Sequence, residues 1–263
     1  MRIGVLVSSL VLSASVCGDA FAADWYTGRS GSQTYPVTSG PTTRESAPAD
    51  DNWIVAVDAS VSGTSKGALF GNLVGTFAAM GTLKTSGARV RADALVGNYS
   101  YYSNVVGAKI ESHQQAGSAL VGYEWVGRNS TAAVYIGAAA QSVSLSIPDP
   151  ANKVVGTSAG LKVSGEFYAR PTANTMVSGY GSYSTLHNSY YTRVKYGWAV
   201  LDEMYVGPEF SFLGDALYRQ LRAGVHLTGF KVGNLQFGVS GGYMKDMKQG
   251  SGFYGVLDAR VGF

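Results

Sequence analysis

Gly252-Phe253-Tyr254-Gly255-Val256-Leu257-Asp258-Ala259-Arg260-Val261-Gly262-Phe263 is the stretch whose reading decides the fold. Phe253, Gly255, Leu257, Ala259, Val261 and Phe263 alternate with Tyr254, Val256, Asp258, Arg260 and Gly262. A strand sends successive side chains to opposite faces, so one face is apolar and the other carries two charges. Two architectures use such a strand. A soluble sheet buries the apolar face; a membrane barrel turns it to lipid. The rest of the chain must choose between them.

Composition narrows the choice. The sequence has 263 residues, with 35 Gly, 17 Tyr, only 14% charged residues and a net charge of +3. Abundant aromatics and weak charge exclude a disordered chain, which needs the opposite. The small net charge gives no electrostatic footprint for nucleic acid. The N-terminus reads as a secretory signal: Arg2, an apolar run from Ile3 to Val16, then Ala20-Phe21-Ala22 as a small-x-small cleavage site. Residues 1–23 are therefore expected to be removed. The run is too short for a membrane helix, which needs about 20 apolar residues. No later segment is long and apolar enough either, so a membrane-embedded mature chain must be a closed barrel. Cys17, the one cysteine, lies in that signal after Val16, where a lipoprotein would carry a small residue. The mature chain is expected to have neither disulfide nor thiolate metal site. Residues 24–51 are polar and rich in Gly, Ser, Thr and Pro, and read as a flexible N-terminal arm.

From 52 to 263 the sequence repeats the alternation of its last stretch. Turn signals divide it into segments at Trp53–Gly63, Gly67–Met80, Gly87–Tyr101, His113–Val126, Ser130–Ile147 and Val155–Arg170. Others follow at Asn174–Thr185, Ser189–Leu201, Asp202–Leu213, Asp215–Phe230 and Val232–Lys245, and Gly252–Phe263 closes the series. The second segment is apolar on both faces and its facing is ambiguous. In the fifth, Val134 and Ile136 share one face while Val143, Leu145 and Ile147 take the other, which a bulge or a projection beyond the membrane would explain. Connections near Arg128, Pro171, Asp202 and Gly233 are short, and those at Tyr102–Glu111, Pro148–Val154 and Asp246–Ser251 are longer. About twelve strands, an even number, with short turns on one side and long loops on the other, predict an all-β, closed, antiparallel up-and-down transmembrane barrel. Trp125, Phe167, Tyr183, Trp198, Phe212, Tyr243, Phe253 and Phe263 fall toward strand ends on the apolar face, as two interfacial girdles would require. The terminal Phe resembles the closing residue of bacterial outer-membrane barrels. The outer membrane is the expected location, and its lipid the first expected partner.

The polar face gathers Glu166, Arg170, Arg193, Glu203, Glu209, Arg222, His226, Asp258 and Arg260 with further charges of both signs. They read as a ladder of salt bridges filling the lumen, or as a charged passage whose lining tunes selectivity. With a hairpin turning at Gly214-Asp215, Glu209 should lie opposite Gln220 and diagonal to Arg222, and His226 near Glu203. A His–carboxylate pair beside Ser211 and Ser240 invites a nucleophilic reading. No Gly-x-Ser-x-Gly elbow is present, and no catalytic residue is assigned. His113 and His187 are isolated. Pro148-Asp149-Pro150 reads as a rigid turn, no His/Asp/Glu spacing suggests a metal, and no cofactor is expected.

Tyr205-Val206-Gly207-Pro208-Glu209 leads to Leu213-Gly214-Asp215, Tyr218, Arg222-Ala223-Gly224-Val225-His226 and Thr228-Gly229-Phe230. Ser240-Gly241-Gly242-Tyr243 follows, with earlier echoes in Gly122-Tyr123-Glu124-Trp125, Pro148-Asp149-Pro150-Ala151-Asn152 and Ser182-Tyr183-Ser184-Thr185. This pattern resembles the BcsS family of cellulose biosynthesis proteins of alphaproteobacteria, over roughly Trp53 to Phe263. The resemblance implies an outer-membrane accessory barrel of cellulose production or export. It implies a cellulose chain and components of the cellulose synthase complex as partners, and carries over no catalytic residue. Two other functions fit a barrel: a porin-like channel for small polar solutes, and a barrel hydrolase or acyltransferase acting on lipid or glucan.

Overall fold

A computed structural model describes residues 53–201, 204–216, 218–247 and 249–263. The expected signal 1–23, the expected arm 24–51 and Glu203 lie outside the described residues. Twelve strands follow in order: β1 Val55–Thr64, β2 Leu69–Ala78, β3 Gly87–Ser103, β4 Ala108–Val126, β5 Ser130–Leu145 and β6 Gly156–Thr172. Then come β7 Thr175–Ser184, β8 Ser189–Leu201, β9 Met204–Gly214, β10 Arg219–Val232, β11 Leu235–Asp246 and β12 Gly250–Gly262. Each pairs antiparallel with its sequence neighbours, and β1 closes on β12. The closing register runs Val57↔Val261 through Val61↔Leu257 to Gly63↔Gly255. The final stretch is therefore the closing strand, and the closed sheet leaves no edge.

Accessibility decides the facing. Along β12, Phe253 and Leu257 are 68% and 56% exposed, whereas Tyr254 and Asp258 are 5% and 1% exposed. The same inversion holds around the barrel: Val90, Val121, Ile136, Leu161, Phe210 and Val239 are exposed, and Arg89, Arg91, Lys162, Arg193 and Glu209 are buried. Exposed apolar side chains over buried charges are the reverse of a soluble barrel and the signature of one immersed in lipid. The ambiguous second segment resolves with Leu69, Leu73 and Phe77 outward and Phe70, Asn72 and Thr76 inward. The eight girdle aromatics named from the sequence are all exposed. Tyr123–Trp125 and Tyr196–Trp198 pack pairwise at the end that holds the chain termini of the barrel. Tyr190–Phe212 and Tyr243–Phe253 do so at the other.

The wall is uneven in height. Strands β3 to β6 have 17, 19, 16 and 17 residues, while β1, β2 and β7 have 10. A membrane strand needs about 9–11, so β3–β6 stand beyond the hydrocarbon at the end away from the termini. This projection accounts for the apolar parity change in β5. Its ladders to β4 and β6 show no register shift, so there is no bulge, and Val143 points inward and is buried. The long loop expected at Tyr102–Glu111 is likewise mostly strand: β3 and β4 pair out to Ser103↔Ala108 and leave 104–107 as the turn. The loop expected at Asp246–Ser251 shrinks to 247–249. The connection 146–155 remains long. The bulges lie at the opposite end, at Ala169/Thr172, Ala199/Leu201 and Thr228/Phe230, the last at Gly229 with φ 96°. Only glycine adopts that backbone cheaply.

Candidate functional site

The inward face is a network of charges in two groups. The first is centred on Arg193 of β8. Its Nη2 donates to Glu209 Oε2 of β9 at 2.6 Å and to Ser240 Oγ of β11 at 2.7 Å, and lies 3.6 Å from Asp258 Oδ2 of β12. Lys195 Nζ sits 3.9 Å from Glu209 and 3.6 Å from Asp258. Tyr254 OH donates to Glu209 Oε1 at 3.0 Å, and the Arg222 guanidinium lies over the Tyr254 ring, 5.2 Å from its centre. The second group spans β3 to β6. Arg91 Nη2 donates to Glu166 Oε1 at 2.6 Å and stacks 3.9 Å over the Tyr135 ring; Lys162 Nζ donates to Asp93 Oδ2 at 3.1 Å, which also accepts from Ser118 Oγ. Arg260 pairs with Asp58 across the β1–β12 seam at 3.4 Å.

Several of these bonds are chords. β3 and β6 are separated by two strands in the wall, and β8 and β12 by three, so their side chains meet across the lumen. Arg193, Lys195, Glu209 and Asp258 are 0–3% exposed at the side chain. Buried ions of this kind persist only when each is paired, since desolvation costs several kcal/mol per ion.

Both rims also carry cross-links. At the end opposite the termini, Tyr101 OH donates to Asp149 Oδ2 at 3.0 Å and accepts from Asn152 Nδ2 at 2.9 Å, drawing the 146–155 loop inward. Gln249 Nε2 reaches from the β11–β12 turn to the Ser100 carbonyl of β3 at 2.7 Å. At the other end Trp53 packs with Ala56, Ala78 and Leu83. Beside them Arg89 Nε donates to Glu124 Oε2 at 2.6 Å and its Nη2 to the Thr82 carbonyl at 3.2 Å.

The structure redistributes the residues singled out from sequence. Arg193, Glu209 and Asp258 come together, with Arg222 at their margin. Glu166 belongs to the second group and Arg260 to the seam. Arg170 is not in the lumen cluster: its Nη2 donates to the Ala173 carbonyl in the β6–β7 turn. The expected β9–β10 register is corrected. The turn spans 215–218, closed by Tyr218 N donating to Asp215 Oδ1 at 2.9 Å, so Gly214 pairs with Arg219 and Glu209 faces Gly224 instead of Gln220. The slip is even, and every side chain keeps its face.

His226 therefore lies opposite Gly207, buried, with Nε2 donating to the Tyr196 carbonyl at 3.1 Å and Nδ1 3.4 Å from Thr228 Oγ1. Among the described residues no carboxylate hydrogen-bonds to it. Ser240 stands opposite His226 in the β10–β11 ladder but accepts from Arg193, and Ser211 is buried opposite Arg193 on β8; among the described residues no hydrogen bond joins either hydroxyl to His226. Among the described residues no three His, Cys, Asp or Glu side chains converge as a metal site would. Asp149 is committed to Tyr101 and to the backbone N–H of Ala151. Sequence reasoning missed the part of Tyr254 and Tyr135: Tyr254 shares its face with Asp258 and Arg260 on β12, which was an available signal, whereas β5 carries no charge that would mark Tyr135.

Gly207, one of the motif glycines, is held by close packing. A Cβ there would lie 2.0 Å from the Tyr196 carbonyl oxygen. Backbone cannot yield as a side chain would, so Gly207→Ala should lower the unfolding free energy of the barrel in vesicles, read from urea titration, by roughly 1–3 kcal/mol. Gly75→Ala, where nothing lies within 4 Å, should stay within about 0.5 kcal/mol of the parent. Equal effects at the two positions would refute the packing argument.

Comparisons with known proteins add the family. The chain is similar in structure to the KdgM porin, at 8% identity over 79% of this chain and 99% of that one, with a TM-score of 0.44. It is similar to the outer membrane protein Omp33 of Acinetobacter baumannii, at 12% identity over 80% and 98%, with a TM-score of 0.38. The translocator domain of the autotransporter NalP from Neisseria meningitidis gives 11% identity over 80% and 87%, with a TM-score of 0.41. No curated protein matches the sequence. The membrane-barrel architecture rests on its own closure and inverted facing, which is the build of an outer-membrane protein in contact with lipid. The model of the family "Cellulose biosynthesis protein BcsS" matches residues 62–263. By that match, which covers β3 to β12 entire and the end of β1 and all of β2, the chain belongs to the BcsS family of cellulose biosynthesis proteins.

Proposed function

We propose that this chain is an outer-membrane accessory barrel of bacterial cellulose biosynthesis whose contribution is structural: it holds the glucan or the synthesis machinery at its outer end and does not conduct solutes. The carrying observation is the cross-linked interior, in which Glu209 is 0% and Asp258 1% exposed. A channel for polar solutes needs a wet lining. Threading a glucan through this lumen would require breaking the Arg193–Glu209 and Arg91–Glu166 pairs. The wall of β3–β6, standing past the membrane and carrying the exposed Tyr102, supplies a surface for such a partner. Components of the cellulose synthase complex are the proposed partners, and the N-terminal signal, cleaved after residues 1–23, the proposed route to the membrane.

The test is deletion of the gene followed by complementation with the full chain. Cellulose output or fibre organisation should fall and be restored. In planar bilayers the purified full chain should show no stable conductance. An unchanged cellulose phenotype would remove the reading, and a steady solute-selective conductance would replace it with the porin-like one.

A further inference from the structure

We propose that the outer rim of β10 and β11 binds the phosphate of an outer-leaflet glycolipid through Arg219 and Lys245. This goes beyond the cellulose reading and rests only on the membrane placement of the barrel. Both side chains are exposed and share the outward face with Leu221 and Tyr243. Leu221 pairs with Lys245, and Met247 N donates to the Arg219 carbonyl at 3.1 Å. Arg219 is thus the diagonal neighbour of Lys245, roughly 7–8 Å away by the geometry of an antiparallel pair.

Two like charges so placed repel each other unless an anion lies between them. Neither makes an ion pair among the described residues. The nearby carboxylates are turned elsewhere: Asp215 accepts from Tyr218 N within its own turn, and Asp246 is buried and accepts from Gln249 N. Elsewhere on the outer wall the balance differs, since Lys109 of β4 shares its exposed face with Glu111 two residues on.

Depth supplies the ligand. Tyr243 and Phe253 pack edge to face as part of the outer girdle, with ring centres 6.3 Å apart. Lys245 lies two residues beyond Tyr243, about 7 Å along the strand. That is the level where a glycolipid presents its phosphate while its acyl chains run down Leu221, Val225 and Phe253. A guanidinium offers a phosphate two parallel hydrogen bonds, and the ammonium adds a point charge.

The experiment compares the full-length parent with R219Q/K245Q in detergent, both checked for a heat-modifiable folded band. Each is titrated with bisphosphorylated lipid A, with dephosphorylated lipid A and with inorganic phosphate, and bound lipid is read by native mass spectrometry. The parent should bind bisphosphorylated lipid A about tenfold to thirtyfold more tightly than the double variant, as two surface cations imply. Dephosphorylation should abolish that difference, and R219K/K245R should keep most of the affinity. Equal binding by parent and double variant overturns the proposal. So does displacement of the lipid by equimolar inorganic phosphate, which would assign the pair to the free anion.

Discussion

Arg193→Met will lower the stability of the folded barrel by about 3–5 kcal/mol, the cost of breaking a buried ion pair from one side. Arg193 hydrogen-bonds directly to Glu209 and Ser240 while also facing Asp258. Its removal leaves two buried carboxylates with Lys195 at 3.9 and 3.6 Å. Methionine keeps the length and the apolar stem, so the loss reports charge and hydrogen bonding, not volume. The temperature at which the folded band converts on a gel, and the urea midpoint in vesicles, are the measurements. Arg193→Met with Glu209→Gln should recover part of the loss, because the remaining amide no longer needs a cation. A single variant as stable as the parent would mean that water already reaches the Arg193 cluster, and the closed-lumen reading would fall with it.

Leu257→Arg will be the most disruptive change on the outer surface, costing about 2–4 kcal/mol if the residue meets the middle of the bilayer. Leu257 is central in β12, 56% exposed, and flanked by Val61 of β1 and Val239 of β11. A charge there faces hydrocarbon from all sides. Spontaneous insertion into lipid vesicles, followed as the yield of heat-modifiable protein, will show the loss. The comparison is Ser60→Asn on the inward face, opposite Asp258, where a polar side chain joins other polar groups. That change should cost well under half as much. The reverse ranking would turn every strand inside out.

These expectations separate what a local pattern carries from what it cannot. The twelve strands, the closing role of Gly252–Phe263 and the outward aromatics were readable because alternation has a period of two and is written within each strand. The fifth segment was harder. Its change of parity marks where β5 leaves the lipid, and only the unshifted ladders to β4 and β6 distinguish that from a bulge. The loop expected between Tyr102 and Glu111 failed for a similar reason. Residues rich in Tyr and Ser pair as strand there because β3 and β4 support each other above the membrane.

The candidate site was legible as a set of charges and not as a set of pairs. Sequence placed Glu209, Arg193, Asp258, Glu166 and Arg260 on the inward face. It could not say that Arg193 meets Asp258 or that Arg91 meets Glu166. A turn of 215–218 instead of Gly214-Asp215 carried Glu209 from Gln220 to Gly224, and left His226 opposite Gly207 with its Nε2 on the Tyr196 carbonyl. The sequence by itself determined a barrel of about twelve strands with one apolar and one polar face, since each follows from alternation repeated segment by segment. Only the tertiary structure decided which charges meet across the lumen, because partners across it are chosen by register, strand length and the point where β1 meets β12.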